Sequence, residues 1–420
     1  MTLSIAVIGS GMAGLAAAFG CREAGHQVTT FEANKGFGMD AHTLNVDGGI
    51  VDVPLRVMSP GGWKSVLNLA ARVGVETFPV TVNSSCSWSD QRSWFRSGRV
   101  PLTGWPFVGS WRYLNTHTAR LPLELLRLSR LTNELRQTQS GLTLAQLLRQ
   151  ESFDPLFWRG LVLPLLTTIC TCSEEHLLAW PAGQLLAMLN GIIHGDDLCR
   201  LKGGTSALVA ALSRELNCIS GSPVNRVSIE GDKVEVFNDH GDGGLFDRVI
   251  IATQANQLSF LNDAQFAREK KVLQDIRFDT GELLVHRDPR FMPRRKQDWS
   301  ALNFQMDRQL TRPMFTVWVN DVEPTLRDKA PVFQTWNPLY EPEAGTVIAR
   351  VSLQRAVVHQ GTSSVHQQLR EWHAQPGRKV FFCGAWAYDG VPLLESAVRS
   401  SEVVVAALKK QAASLHSMQS

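Results

Sequence analysis

Three glycines, Gly9, Gly11 and Gly14, follow the apolar run IAVIG, and an acid, Glu32, closes the later stretch QVTTFEA. Together they suit phosphates and riboses. Gly9 makes a tight turn, Gly11 lets the backbone approach a pyrophosphate, and Gly14 lets the next helix pack on the strand. Met12 and Ala13 open that helix, whose unpaired N–H groups and positive dipole end face the phosphates. Glu32, with Ala33 beside it, offers a carboxylate to a ribose diol, and no Arg comes after it to receive a 2′-phosphate. A glycine fingerprint alone is weak; strand, helix, second strand and terminal acid in register predict a dinucleotide site.

The residues after Glu32 decide which dinucleotide is held. A plain NAD domain would proceed to another helix, whereas here the chain runs EANKGFGMDAHTLNVDGGIVDVPLRVM, a glycine-punctuated loop and then short strands. This stretch resembles the flavin-containing amine oxidase and phytoene desaturase superfamily, and more closely a subfamily of predicted NAD/FAD-binding oxidoreductases. The likeness continues in order through LPLLTTICTCSEEHLLAWPA, LKGGTSALVAAL, DRVIIAT, HRDPRFMPRRKQDWSALN and VFFCGAWAYDGVPLLESAVRSSEVVVAAL. It implies FAD as cofactor and an α/β fold: a Rossmann-like FAD-binding domain of the glutathione reductase / p-hydroxybenzoate hydroxylase type, with an α+β substrate domain inserted in the chain. The FAD domain would comprise 1–60, 200–260 and 376–420, and the substrate cap 61–199 and 261–375.

The same resemblance distributes cofactor contacts. It puts His42 on the glycine loop, Pro54, Leu55 and Arg56 over the flavin edge, and the backbone of Val224 beside the adenine. Gly384, Trp386 and Tyr388 would lie near the ring, the two aromatics either lining the pocket or covering the cofactor. The helix opening Glu395–Ser396–Ala397 would point at the flavin pyrimidine and stabilise negative charge on the reduced cofactor. Two departures stand out. In the first, Met39 replaces the family's second glycine and Asp40 its usual basic residue, so weaker FAD binding than typical is expected; in the second, Ser396 and Ser401 stand where the family's C-terminal helix usually has glycines.

One fingerprint, with no second one for NADPH, implies that electrons come from an organic substrate and pass to dioxygen or another acceptor, or return to the substrate in an isomerisation. Amine oxidation usually relies on a lysine near flavin N5 and a tyrosine-rich cage. The equivalent stretch DTGELLVHRDPRF has no lysine, and the chain has only three tyrosines, at 113, 340 and 388. A pocket of Leu, Trp and Phe suits an acyl chain or isoprenoid, which favours desaturation or double-bond isomerisation. Flavin amine oxidation and a non-catalytic, FAD-stabilised binding protein are the alternatives. Arg56, alone in an apolar stretch, could anchor a substrate carboxylate, contact the flavin, or pair with Asp52. His286 is the acid–base candidate by type, and Tyr388 completes the catalytic candidates.

The elements that must position these groups are set by length and pattern. With 420 residues, two interleaved domains are expected. A formal charge of +3 and no basic run exclude nucleic acid as a partner. Seven scattered cysteines, among them Cys170 and Cys172, read as buried reduced thiols, with no metal expected. The first strand begins at residue 3 without a basic leader, and no apolar run reaches the length of a span, so a cytoplasmic protein is expected. SPVNRVSIEGDKVEVFNDHGDGGLFDRVIIAT reads as a hairpin and a buried strand, with GDGG at 241–244 as a turn. Residues 61–200 read as helical, and 261–375 as strands such as PMFTVWVN and TVIARVSL. In ARLPLELLRLSRLTNELRQ, Leu121, Leu125, Leu128, Leu131 and Leu135 share one helical face, either packed on the substrate domain or dipping into a membrane surface. The oligomeric state is not legible.

Overall fold

The computed structural model describes residues 2–38, 43–99, 106–115, 118–138, 141–193 and 197–417. Met39, Asp40 and His42 lie outside them. The first strand, Ser4–Ile8, is the centre of a five-stranded sheet in the order Asn217–Ile219, Gln27–Phe31, Ser4–Ile8, Arg248–Ile251, Val380–Phe382. Every pairing in it is parallel, and side chains such as Ile5, Val7, Ile250 and Phe381 are fully buried. Burial on both faces is what continuous apolar runs such as IAVI and RVII require. The helix Met12–Glu23 packs on one face beside the helix Leu394–Ser417. Its small residues allow a close approach: a Cβ on Gly20 would stand 3.0 Å from the Val405 side chain.

A three-stranded antiparallel sheet, Val224–Glu230, Lys233–Asn238 and Gly244–Phe246, leads into Arg248–Ile251; the turn predicted at 241–244 falls in the connection 239–243, and Gly244 opens the last strand. An eight-stranded sheet provides the second layer, in the order Val347–Val357, Arg277–His286, Phe333–Trp336, Pro313–Trp318, Leu302–Met306, Ser84–Trp88, Ser93–Arg99, Pro106–Val108.

The helical reading of 61–200 is corrected in its first half. The segments Thr77–Val80, Ser84–Trp88 and Ser93–Arg99 are strands. SSCSW and SWFRSGR are rich in serine and aromatics, and serine competes with helical backbone bonds. Cys86 is fully buried where Ser84–Trp88 meets Leu302–Met306, a parallel pairing more than 200 residues away in sequence that local pattern does not announce. From Leu121 on, the insert is helical. Leu121, Leu128, Leu131 and Leu135 are buried and Leu125 packs against the same core, so these leucines face protein. Leu123 and Leu126 are the exposed ones on that helix. Among the described residues no helix is long and apolar enough to cross a membrane. All seven cysteines are free thiols, and burial raises the Cys170 and Cys172 pKa values.

Candidate active site

The glycine turn has the local geometry its spacing requires. Gly9 has φ +99°, a left-handed conformation that glycine adopts without strain, and its N–H donates to Phe31 O at 2.8 Å. A Cβ on Gly14 would overlap Gly9 O, so only glycine lets this helix approach its strand. At Gly11 a Cβ would meet nothing within 4 Å, and Gly11, Met12 and Ala13 line a cavity of 490 Å³. No side chain caps the helix that starts there. Its first N–H groups and an open approach over Gly11 together fit a pyrophosphate.

Glu32 ends the second strand, almost buried. Its Oε2 accepts from the Ser10 N–H at 2.9 Å and the Ser10 hydroxyl at 2.7 Å. Its Oε1 accepts from Asn34 N and Nδ2, both at 2.9 Å. The acid therefore also ties the glycine turn to the loop after the strand, a role its spacing does not reveal. Ala33 beside it is exposed, and Val224 packs against the cluster that holds Phe31. Neither lines the cavity.

Deeper in, Pro54, Leu55 and Arg56 line the cavity as the resemblance implies, and a residue that the sequence pattern does not single out holds them there. Gln334, buried on the inner strand Phe333–Trp336 of the large sheet, accepts from Leu55 N at 2.8 Å and donates to Asp52 O at 2.6 Å. Thr205 links Arg56 to Asp52. Arg56 donates to Pro54 O at 3.2 Å and to Thr205 Oγ1 at 3.3 Å, while Asp52 accepts from Thr205 N and Oγ1 at 3.0 and 2.5 Å. Burial lowers the Arg56 pKa, Asp52 works against that, and Arg200 adds to it. Arg200 closes the cluster on Glu323 at 2.6 Å and on Asp52 at 3.6 Å.

Gly384, Trp386 and Ala397 also line the cavity, and Trp386 Nε1 is fixed by a 3.0 Å bond to Thr253 O. Four other candidates stand elsewhere. The Glu395 carboxylate accepts from Ser65 N and Val66 N at 3.1 and 3.0 Å and from Arg399 Nε at 2.8 Å. It caps the helix Lys64–Arg72, whose own N-cap position is Trp63, which has no oxygen to offer. Ser396 Oγ donates to Val391 O at 2.7 Å rather than into the cavity. The Tyr388 ring lies under the Arg399 guanidinium, 5.7 Å from its centroid, and does not line the cavity.

His286 is a core histidine. It is fully buried, bonds Thr335 Oγ1 through Nε2 at 2.8 Å, accepts the Asp288 N–H at Nδ1, and packs on Phe291 and Phe333. Burial pushes its pKa down to about 4 against the opposing pull of Asp288, so it stays neutral and cannot serve as a proton-transfer group near neutrality.

The rest of the wall is mostly apolar, including Leu165, Ile169, Phe278, Leu283, Leu302, Phe315, Val317 and Trp336, with polar positions at Thr168, Thr171, Thr253, Gln254 and Gln354 and with Arg355 from the strand Val347–Val357. On the strand Arg277–His286, Phe278 and Leu283 line the cavity, and between them a Cβ on Gly281 would overlap the Trp336 indole. The indole occupies the space a longer side chain would need.

A parallel sheet with a glycine turn suited to phosphate, a second β layer, and a largely apolar cavity define a dinucleotide-dependent redox fold of the flavoprotein type. The chain belongs to the flavin-containing amine oxidoreductase family, whose model matches residues 12–348. Its cofactor is FAD, and the open approach over Gly11, the uncapped helix and Glu32 are the features that would hold it.

A Mycobacterium tuberculosis protein with the provisional name flavin-containing monoamine oxidase AofH is 26% identical over 286 residues, 65% of this chain. The match spans 62% of that relative's length. A Staphylococcus aureus 4,4'-diapophytoene desaturase is 41% identical over 71 residues, 17% of this chain and 14% of its own. Among solved structures, putrescine oxidase bound to putrescine superposes with a TM-score of 0.68 at 15% identity, covering 97% of this chain and 99% of that one. A fatty acid isomerase from P. acnes superposes with a TM-score of 0.65 at 14% identity, covering 96% and 98%. At such identity these structures share the fold.

Proposed function

We propose that the chain is an FAD-dependent oxidoreductase acting on an apolar substrate, an acyl chain or isoprenoid, by desaturation or double-bond isomerisation. The observation that carries the reading is the cavity wall. Phe278, Leu283, Phe315, Val317 and Trp336 make this part of the wall apolar, and the strand Arg277–His286 brings it no lysine of the kind amine oxidation relies on. Bound FAD supplies hydride acceptance at N5, and the protein supplies orientation and a dry pocket. Gln334 fixes the Leu55–Arg56 backbone at the cavity edge, and the Asp52–Arg200–Glu323 cluster braces it from behind. Gly11 gives the pyrophosphate its path.

Amine oxidation is the competing outcome, since AofH and putrescine oxidase carry that activity in their names. Anaerobic mixing of the yellow holoenzyme with putrescine, cyclohexylamine and benzylamine should leave the flavin oxidised. Lipid mass spectrometry of cells with and without the protein should show a change in double-bond number or position. Bleaching by an amine, with no lipid change, would overturn the proposal.

A further inference from the structure

Two arginines, Arg56 and Arg355, line the cavity, and among the described residues Arg355 has no acid beside it. Arg355 lies on the strand Val347–Val357, directly across from Asp279, and lines the cavity. Its cross-strand neighbour does not balance it. Asp279 is turned to the helical insert, where Oδ2 accepts from Ser173 N at 2.9 Å and meets His176 Nδ1 at 2.9 Å. Arg355 donates instead to Ile169 O at 3.3 Å, close to the thiols of Cys170 and Cys172. Among the described residues no carboxylate lies within ion-pair distance of it.

The other arginine of the cavity, Arg56, belongs with Arg200 to a cluster already holding two acids, Asp52 and Glu323. Among the described residues Arg355 therefore remains as one unbalanced positive charge on a largely apolar chamber. Burial and then Arg56 lower its pKa to about 10, which still leaves the guanidinium charged at neutrality. Holding a charge against apolar surface without a counter-ion is costly, and an arriving anion would remove that cost.

We propose that Arg355 anchors the carboxylate head group of an amphiphilic substrate whose apolar chain lies along Phe278, Leu283, Phe315 and Trp336. A monoanion matches the single unbalanced charge, whereas a phosphate dianion would exceed it, and the guanidinium fork suits two carboxylate oxygens. This inference rests on the apolar-substrate reading above and narrows it to chains ending in an acid. Arg355 is a binding residue here; the proposal gives it no proton to move.

The test is equilibrium binding to the purified holoenzyme, without turnover, read from quenching of the tryptophans that line the cavity (Trp63, Trp336, Trp386) and from the visible flavin spectrum. The probes are oleate, methyl oleate, oleyl alcohol and oleylamine. Wild type should bind oleate about tenfold or more tighter than its methyl ester, as expected for a charge-assisted pair. Arg355→Gln should bring oleate to the ester's affinity while ester binding and FAD content stay unchanged, and Arg355→Lys should keep part of the preference. Equal binding of oleate and ester by wild type, or an Arg355→Gln protein that still prefers oleate, overturns the anchor and leaves the apolar reading standing. Failure of all four probes to bind, or tightest binding of oleylamine, overturns both. The oleate–ester comparison needs no variant, so it decides the matter even if Arg355→Gln fails to fold.

Discussion

Gly11 and Glu32 serve the same turn in different ways, and their replacements should fail differently. Gly11→Val places a branched side chain in open space above the helix start, so the protein should fold and purify colourless. Unchanged circular dichroism with loss of FAD on gel filtration is the expected pair of results. Glu32→Ala removes four accepted hydrogen bonds, two each from Ser10 and Asn34. It should both loosen the turn and weaken FAD by about 1–3 kcal/mol, measured by flavin release under dialysis. The glycines are legible in the sequence because their constraint is local: one needs a positive φ and another a contact only five residues away. The catalytic candidates are not. His286 looks like an acid–base group until Thr335, Phe291 and Phe333 close around it. Glu395 looks like a flavin contact until the helix 330 positions earlier claims its carboxylate. Arg355 draws no notice because, in an alternating strand, an arginine reads as a solvated face.

Glu395 and the helix Leu121–Gln137 show how an element can carry the right pattern for the wrong partner. Glu395 has the acid that the family helix start leads one to expect, yet its charge serves the N-terminus of Lys64–Arg72. Replacing it with Ala should cost about 0.5–2 kcal/mol of stability, the usual loss of a cap, and lower the melting temperature without changing the flavin spectrum. On the leucine helix, a 3.6-residue stripe fixes which residues share a face and says nothing about what covers it. Leu128, buried against the insert core, should not tolerate Asp: Leu128→Asp is expected to be insoluble or to lose FAD with its fold. Leu123→Asp, on an exposed position of the same helix, should express normally and keep its flavin. Equal tolerance at both sites would mean the helix packs the other way round. The helix itself is legible from its stripe and Pro122; the strands between Thr77 and Arg99 are not, since Thr77–Val80 pairs with the distant Leu198–Leu201 and the other two extend a sheet begun by residues 277–357.

Each layer packs around a buried imidazole, and this gives the molecule a pH dependence of defined sign. His286 sits in the large sheet and His373 against the parallel one, where its Nε2 accepts the Phe382 N–H at 3.1 Å. Burial lowers both pKa values to about 4, with Arg378 adding to the effect at His373. In the unfolded chain each returns to about 6.5. Between these values the unfolded state binds more protons, so stability rises with pH through the window and is fully present above about 6.5. Lowering the pH from 7 toward 4 should therefore remove up to about 3 kcal/mol per histidine. FAD binds the native state and would mask part of the slope, so urea unfolding must be run at one fixed excess of free FAD at every pH. Wild type should lose stability steeply between pH 6.5 and 4. The double variant His286→Gln, His373→Gln should start less stable, having lost two packed acceptors, but show a clearly flatter profile over the same interval. A variant that keeps the full wild-type slope would place the titrating groups elsewhere and show that these two rings do not resist protonation.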